Sequence, residues 1–289
     1  MNYLFHILTM ISLYVILGLS LNLSVGYAGL LSLCHAAFFG IGAYVSTLLV
    51  MKTGLAFLPS FAIAILIVGV IAYLISIPSI SFHGDFFVLA TLGFQAIIFS
   101  ILYNWVDLTN GPYGILGIPR PDILGIQIES APMFFLVTLL LVFIVSFILY
   151  RLTHSPYGRA LAALRDDETA ALALGKNVKR LKRSAFLIAG ALAAVAGIMF
   201  ASYASFIDPT SFTLDESIFI LCVVIIGGAG NMRGPVIGAV ILVLMPELLR
   251  FLQMPDAFAA NLRQIIYGLM MVLMMRFRPS GLLGRYSFD

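Results

Sequence analysis

Arg151-Leu-Thr-His-Ser-Pro-Tyr-Gly-Arg-Ala-Leu-Ala-Ala-Leu-Arg-Asp-Asp-Glu-Thr-Ala-Ala-Leu-Ala-Leu-Gly-Lys-Asn-Val-Lys-Arg-Leu-Lys-Arg183 is the one long polar stretch in a chain of otherwise apolar segments. It carries eight Lys or Arg and three acids, so eleven of the chain's 29 Asp, Glu, Lys and Arg residues fall within 33 positions. A charge at the centre of a bilayer costs about 2.5 to 3.5 kcal/mol even on a mild scale. The stretch therefore lies in water between two hydrophobic halves, and its basic excess places it in the cytoplasm.

Working outward, composition agrees. Of 289 residues, 62% are hydrophobic and only 10% charged, where a soluble domain carries about 25%. Mean hydropathy is +1.08. The fold class that follows is an all-α polytopic membrane protein, with residues 1–289 read as one transmembrane domain and 151–183 as a cytoplasmic loop within it. The net charge of +3 reports topology and implies no nucleic-acid partner; the partner of the surface is membrane lipid. Cys34 and Cys222 lie in apolar segments without metal-like spacing, so neither a disulfide framework nor a metal site is expected. The first apolar run lacks a basic flank and exceeds a signal-peptide core in length, so it is read as a retained span.

A span needs roughly 20 apolar residues. Five precede the loop, at about Tyr3–Val25, Leu30–Val50, Phe57–Ile77, Phe86–Trp105 and Met133–Tyr150, and a sixth, Ser184–Tyr203, follows it. Shorter segments, Ser217–Ile226 and Pro235–Leu249, flank Gly227-Gly-Ala-Gly-Asn-Met-Arg-Gly234 and read equally as two short spans or a re-entrant hairpin. Leu262–Met275 is last. This gives eight or nine helices, or seven plus a hairpin, with a cytoplasmic C-terminus and a periplasmic N-terminus. Gly26-Tyr-Ala-Gly29 faintly resembles Gly227-Gly-Ala-Gly230, a weak signal of internal repetition.

Within the loop, Ser155-Pro156 is a helix start, a hydroxyl cap before a residue suited to the first helical position. A short helix follows, with Leu161 and Leu164 on one side and Arg159 and Arg165 along it. Asp166 or Asp167 caps a second helix whose first turn holds Glu168, Gly175 suits its end, and Asn177 caps the return into the membrane. Caps, amphipathic helices and a stop describe a folded element, where a solvated topogenic loop would need none of them.

The segment from Ser155 to Gly175 resembles the cytoplasmic loop of the branched-chain amino acid ABC transporter permeases, and Glu168-Thr-Ala-Ala-Leu-Ala-Leu-Gly175 is similar to the Glu-Ala-Ala…Gly motif with which importer permeases dock on their ATPases. It lacks the later Ile-x-Leu-Pro of the broader motif. The resemblance extends through Gly18–Gly29, Ser32–Tyr44, Gly227–Gly230 and Phe277–Gly284, and is to the LivM branch. It implies a LivH-like second permease, two cytoplasmic ABC ATPases, a periplasmic solute-binding protein, and a bacterial inner-membrane location. It also implies a coupling role for Arg159, Leu161, Leu164, Arg165, Asp166, Asp167, Glu168 and Gly175. The chain has no phosphate loop, so it binds no cofactor of its own and ATP is hydrolysed by the partners.

Inside the spans, Asn22, Ser32, His35, Thr91 and Gln95 are the polar groups expected to face a substrate path; interhelical hydrogen bonding accounts for them equally. No acid or base stands at mid-span on this reading, which disfavours an ion-coupled secondary transporter or channel. Ser32 and His35 are the only nucleophile and base close together, without a G-x-S-x-G setting, which disfavours an intramembrane enzyme. The substrate implied by the resemblance is a branched-chain amino acid, with urea or short amides as the alternative within the same family.

Overall fold

The structure, a computed structural model, describes residues 2–80, 85–123, 125–250, 256–278 and 280–284. Its helices are α1 (Asn2–Asn22), α2 (His35–Thr53), α3 (Phe57–Ser79), α4 (Asp85–Asn104), α5 (Val106–Thr109), α6 (Ala131–Thr153), α7 (Pro156–Asp166), α8 (Glu168–Ala173), α9 (Val178–Ala204), α10 (Leu214–Gly227), α11 (Arg233–Arg250) and α12 (Asp256–Phe277). Among the described residues, six segments are long and apolar enough to cross a membrane: 3–27, α2, α3, 86–104, α6 and α9. Shorter apolar helices accompany them, and the protein is polytopic.

The axis of the bundle is α9, against which α1, α2 and α3 pack. Small residues explain why. A β-carbon on Gly197 would stand 2.0 Å from the Phe39 carbonyl oxygen, and one on Gly42 2.7 Å from Ala194 Cα, so α2 and α9 meet nearly backbone to backbone. On the far side, α6 lies on α1, α4 on α2, and the α10–α11 hairpin on α1 with α12 outside it. Lipid-facing surfaces stay apolar, with Leu66, Leu89, Phe143 and Phe147 exposed.

Two helices start late, and both breaks matter. The first helix ends in a π-turn, Leu23–Tyr27, and the chain runs without helix to Cys34, so the second span begins at His35 and not at Leu30 as its hydropathy suggested. Gly29 takes a left-handed φ of 67°, and Leu33 N–H donates to Thr91 Oγ1 (3.1 Å), so side chains replace the helical ladder there. Correspondingly, α10 follows a short strand, β4 (Phe206–Ile207), and a 3₁₀ turn, Pro209–Phe212. Its 14 residues reach about 21 Å, short of a hydrocarbon core of about 30 Å.

The two ends of the bundle differ. One carries α7 and α8. The other carries β1 (Ile115–Leu116), antiparallel to β4, and a small hairpin of β2 (Asp122–Ile123) with β3 (Ile126–Gln127). Lys52, at the end of α2, closes this end by donating to the Asp107 carbonyl (3.2 Å).

Candidate coupling and translocation site

The polar stretch folds as its caps indicate. Ser155 Oγ accepts from the amides of Tyr157 (3.2 Å) and Gly158 (3.4 Å) to start α7. Asp167, not Asp166, caps α8: its Oδ1 accepts from the amides of Thr169 (2.8 Å) and Ala170 (3.0 Å) and from the Thr169 hydroxyl (2.6 Å). The hydroxyl bond, then the two amide bonds, hold the Asp167 carboxyl below the ordinary carboxylate range. Gly175 ends α8 at φ 73°, and Asn177 Oδ1 caps α9 through Arg180 N–H (3.0 Å).

The elbow is anchored at three points. Leu161 and Leu164 are fully buried beneath α7, so they hold the element to the bundle and leave no face for a partner. Lys182 Nζ, nearly buried on α9, reaches Glu168 Oε2 at 2.7 Å. Arg165 Nη1 donates to the Gly26 carbonyl (2.8 Å) in the π-turn, while Nε and Nη2 grip Asp166 Oδ1 (2.9 and 2.7 Å). Arg159, Asp166 and Asp167 stay exposed. Leu172 and Leu174, 55% and 74% exposed, make the tip of the elbow apolar. Sequence reading passed over these two; the signal was a pair of leucines on either side of Ala173 where α8 ends, just before the Gly175 stop.

From Arg165 a continuous set of contacts leads inward. Gly26 sits against Gly230, where an added β-carbon would lie 2.3 Å from the Gly230 nitrogen. Asn22 Oδ1 accepts from Gly230 N–H (2.9 Å) and its Nδ2 donates to the Asn231 carbonyl (3.0 Å). Asn231 Nδ2 in turn holds the Leu283 carbonyl (2.7 Å) of the C-terminal segment. The two Gly-rich stretches, read as a faint repeat, are thus neighbours at one end of the bundle, bridged by a single asparagine.

The remaining interior polar residues cluster where the broken helices begin. Gln95 Oε1 accepts from Ala37 N–H at the start of α2 (2.8 Å), and its Nε2 donates to the Phe212 carbonyl before α10 (2.8 Å). Ser217 Oγ accepts from Ala36 N–H (3.0 Å) and lies 3.3 Å from Gln95 Oε1. His35 Nε2 meets Ser20 Oγ at 2.8 Å, and the same hydroxyl lies 2.8 Å from the Leu17 carbonyl. Ser32 Oγ lies 3.4 Å from both the Cys34 amide and its sulfur, not beside His35. Asn22, Ser32, His35, Thr91 and Gln95 are therefore all buried and all bonded within the chain. Thr91, Ser32 and Gln95 accept from the amides of Leu33, Cys34 and Ala37 at the start of α2, Gln95 also holds the Phe212 carbonyl before α10, Asn22 holds the Gly230–Asn231 turn, and His35 meets Ser20; irregular backbone inside a bundle needs such partners.

Glu216, which follows Asp208 and Asp215 in a stretch without Lys or Arg, stands in the first turn of α10 beside Ser217, level with the middle of α4. Glu247, near the end of α11, accepts from the Tyr3 hydroxyl at the start of α1.

The family described as branched-chain amino acid transport system, permease component, matches residues 3–275. The chain belongs to that family. Among similar permeases, the high-affinity branched-chain amino acid transport system permease protein LivM of Escherichia coli K12 is 37% identical over 96% of this chain and 69% of its own. The probable branched-chain amino acid transport permease LivM of Methanocaldococcus jannaschii is 28% identical over 96% of this chain and 92% of its own. The autoinducer 2 import permease LsrC of Escherichia coli O9:H4 is 31% identical over 65% and 52%. No solved structure is significantly similar. As a permease component the chain is a transport subunit and not an enzyme.

Proposed function

We propose that this permease forms half of the membrane path of an ATP-driven importer of branched-chain amino acids, paired with a LivH-like permease. Two ABC ATPases bind ATP at the basic end, and a periplasmic binding protein delivers substrate at the strand-bearing end. The observation that carries this reading is the α7–α8 elbow, a capped element with an exposed apolar tip and buried anchors. A loop that only marks topology has no need of that construction.

On this reading the whole chain is one permease domain in the inner membrane, with α7, α8 and the C-terminus cytoplasmic by the positive-inside rule and the N-terminus periplasmic. The chain crosses nine times: α10 and α11 descend and return as short segments joined at Gly227–Gly234, with α10 entered through the extended stretch from 206 to 213. Leu172, Leu174, Arg159, Asp166 and Asp167 meet the ATPase. Arg165, Glu168, Leu161, Leu164 and Gly175 keep the elbow rigid, so closure of the ATPase pair moves Gly26 and, through Asn22, the α10–α11 turn. Asn22, Ser32, His35, Thr91 and Gln95 keep the broken helices of the path intact.

The test is a charge-reversing triple substitution, D166K/D167K/E168K, in the reconstituted complex. Lost ATPase association with the chain still inserted supports docking at the elbow; full association and uptake would refute it.

A further inference from the structure

Glu216 and its surroundings are not used by the scaffold just described. The residue stands next to Ser217, which meets Gln95 at the middle of α4, and its Oε1 is sealed from solvent with no hydrogen-bond partner among the described residues. Neither Glu216 nor its neighbour Asp215 forms an ion pair among the described residues. Asp215 is exposed and, among the described residues, receives a long contact from Gln264 Nε2 of α12 (3.4 Å). Attraction to the start of α10 offsets a small part of what two carboxylates cost at that level. An exposed carboxylate there cannot face lipid; it faces water or a second subunit.

Three aromatic rings stand around the acids. Phe219, one turn along α10 from Glu216, lies edge-to-face with Tyr14 of α1 on one side and Tyr267 of α12 on the other, each with centroids 5.0 Å apart. Tyr14 also comes close enough to hydrogen-bond the Glu216 carboxylate. All three rings are half-buried, so each keeps some surface open. A carboxylate with a free oxygen, beside a cluster of aromatic rings and screened from bulk water, is the chemistry that recognises an organic ammonium. It does not suit an anion, and three rings leave too few oxygens for a hard metal ion.

We propose that Glu216, Asp215, Tyr14, Phe219 and Tyr267 form a cation subsite on the path-facing side of α10, which receives the ammonium group of the amino acid during passage. This rests on the amino-acid importer reading above and deepens it. The branched side chain then slides along apolar α10 and α12, and the substrate's carboxylate is left to groups outside this cluster. Because one ammonium faces two acids that make no ion pair among the described residues, the subsite attracts the zwitterion by its ammonium alone and releases it.

The experiment uses the complete complex with its binding protein in proteoliposomes, with radiolabelled leucine as probe. E216Q keeps size and removes charge; F219L keeps apolar volume and removes the ring. We expect E216Q to lower leucine uptake about tenfold and F219L several-fold, with subunit association and binding-protein-stimulated ATP hydrolysis unchanged, and E216D to recover part of the loss. Wild-type uptake by E216Q overturns the subsite. So does loss of the second permease from E216Q, which would make Glu216 one side of an intersubunit ion pair. A wild-type complex that carries no branched-chain amino acid overturns the functional reading itself, and that result is visible before any variant is compared.

Discussion

Arg165 is the point where the cytoplasmic elbow grips the membrane bundle. Its side chain is 13% exposed and divides its donors: Nη1 to the Gly26 carbonyl and the other two to Asp166. Asp166 is 62% exposed, so that half of the arrangement contributes little in water. The bond to Gly26 is charge-assisted and partly buried, a class contributing about 1.5 to 3 kcal/mol. At about 1.4 kcal/mol per factor of ten, R165M should weaken seating of α7 on the π-turn roughly tenfold to a hundredfold. Methionine retains the stem that covers Gly29, so packing survives while the link is lost. The assay is the ratio of leucine imported to ATP hydrolysed in proteoliposomes. The ratio should fall at least tenfold with ATP hydrolysis maintained, and R165K should lie between, since an ammonium reaches one acceptor without the fork. A wild-type ratio in R165M would refute transmission through Gly26.

Other perturbations probe other joints. Q95L takes the side-chain partner from the Phe212 carbonyl and leaves the Ala37 amide only its bond to the Cys34 carbonyl (3.1 Å), and should cost about 1 to 3 kcal/mol, read as a lowered unfolding temperature of the detergent-purified complex. G26A has no room for its methyl group against Asn22 and Gly230, so uptake should fail even where the chain inserts, as measured by transport against membrane abundance. Capping by Asp167 contributes above the ordinary carboxylate pKa, because folding lowers its value, and is lost as pH falls through that lowered value. ATPase association measured by pull-down should therefore be flat from pH 8 to 5 and weaken only in stronger acid, a fall that D167N should not show. H35A should leave the pH profile of uptake between 5 and 8 superimposable on wild type, since His35 is enclosed with Ser20.

The sequence revealed the spans and the elbow because both rest on local rules. Runs of apolar residues report burial in lipid, and Ser155, Asp167, Gly175 and Asn177 report helix ends, each borne out by its hydrogen bonds or φ. What it concealed depends on partners far along the chain. Leu30–Cys34 is apolar enough for helix, and only Thr91 and Ser24 reveal that its amides are claimed elsewhere. Glu216 follows Asp208 and Asp215 in sequence, and nothing local gives its place in the bundle, which is set by Ser217 bonding to α2 and Gln95 on α4. Leu161 and Leu164 share one side of their helix as the spacing indicates, and their periodicity alone could not say that this side meets the bundle.

The central claim is that this chain works in a complex driven through α7 and α8. Its most direct test is to extract the chain from its native membrane in mild detergent and identify what accompanies it by mass spectrometry. The account predicts a second permease and two ATPases with the wild-type chain, and loss of the ATPases alone from D166K/D167K/E168K. Recovery of the chain by itself, able to move a solute down an ion gradient after reconstitution, would contradict it.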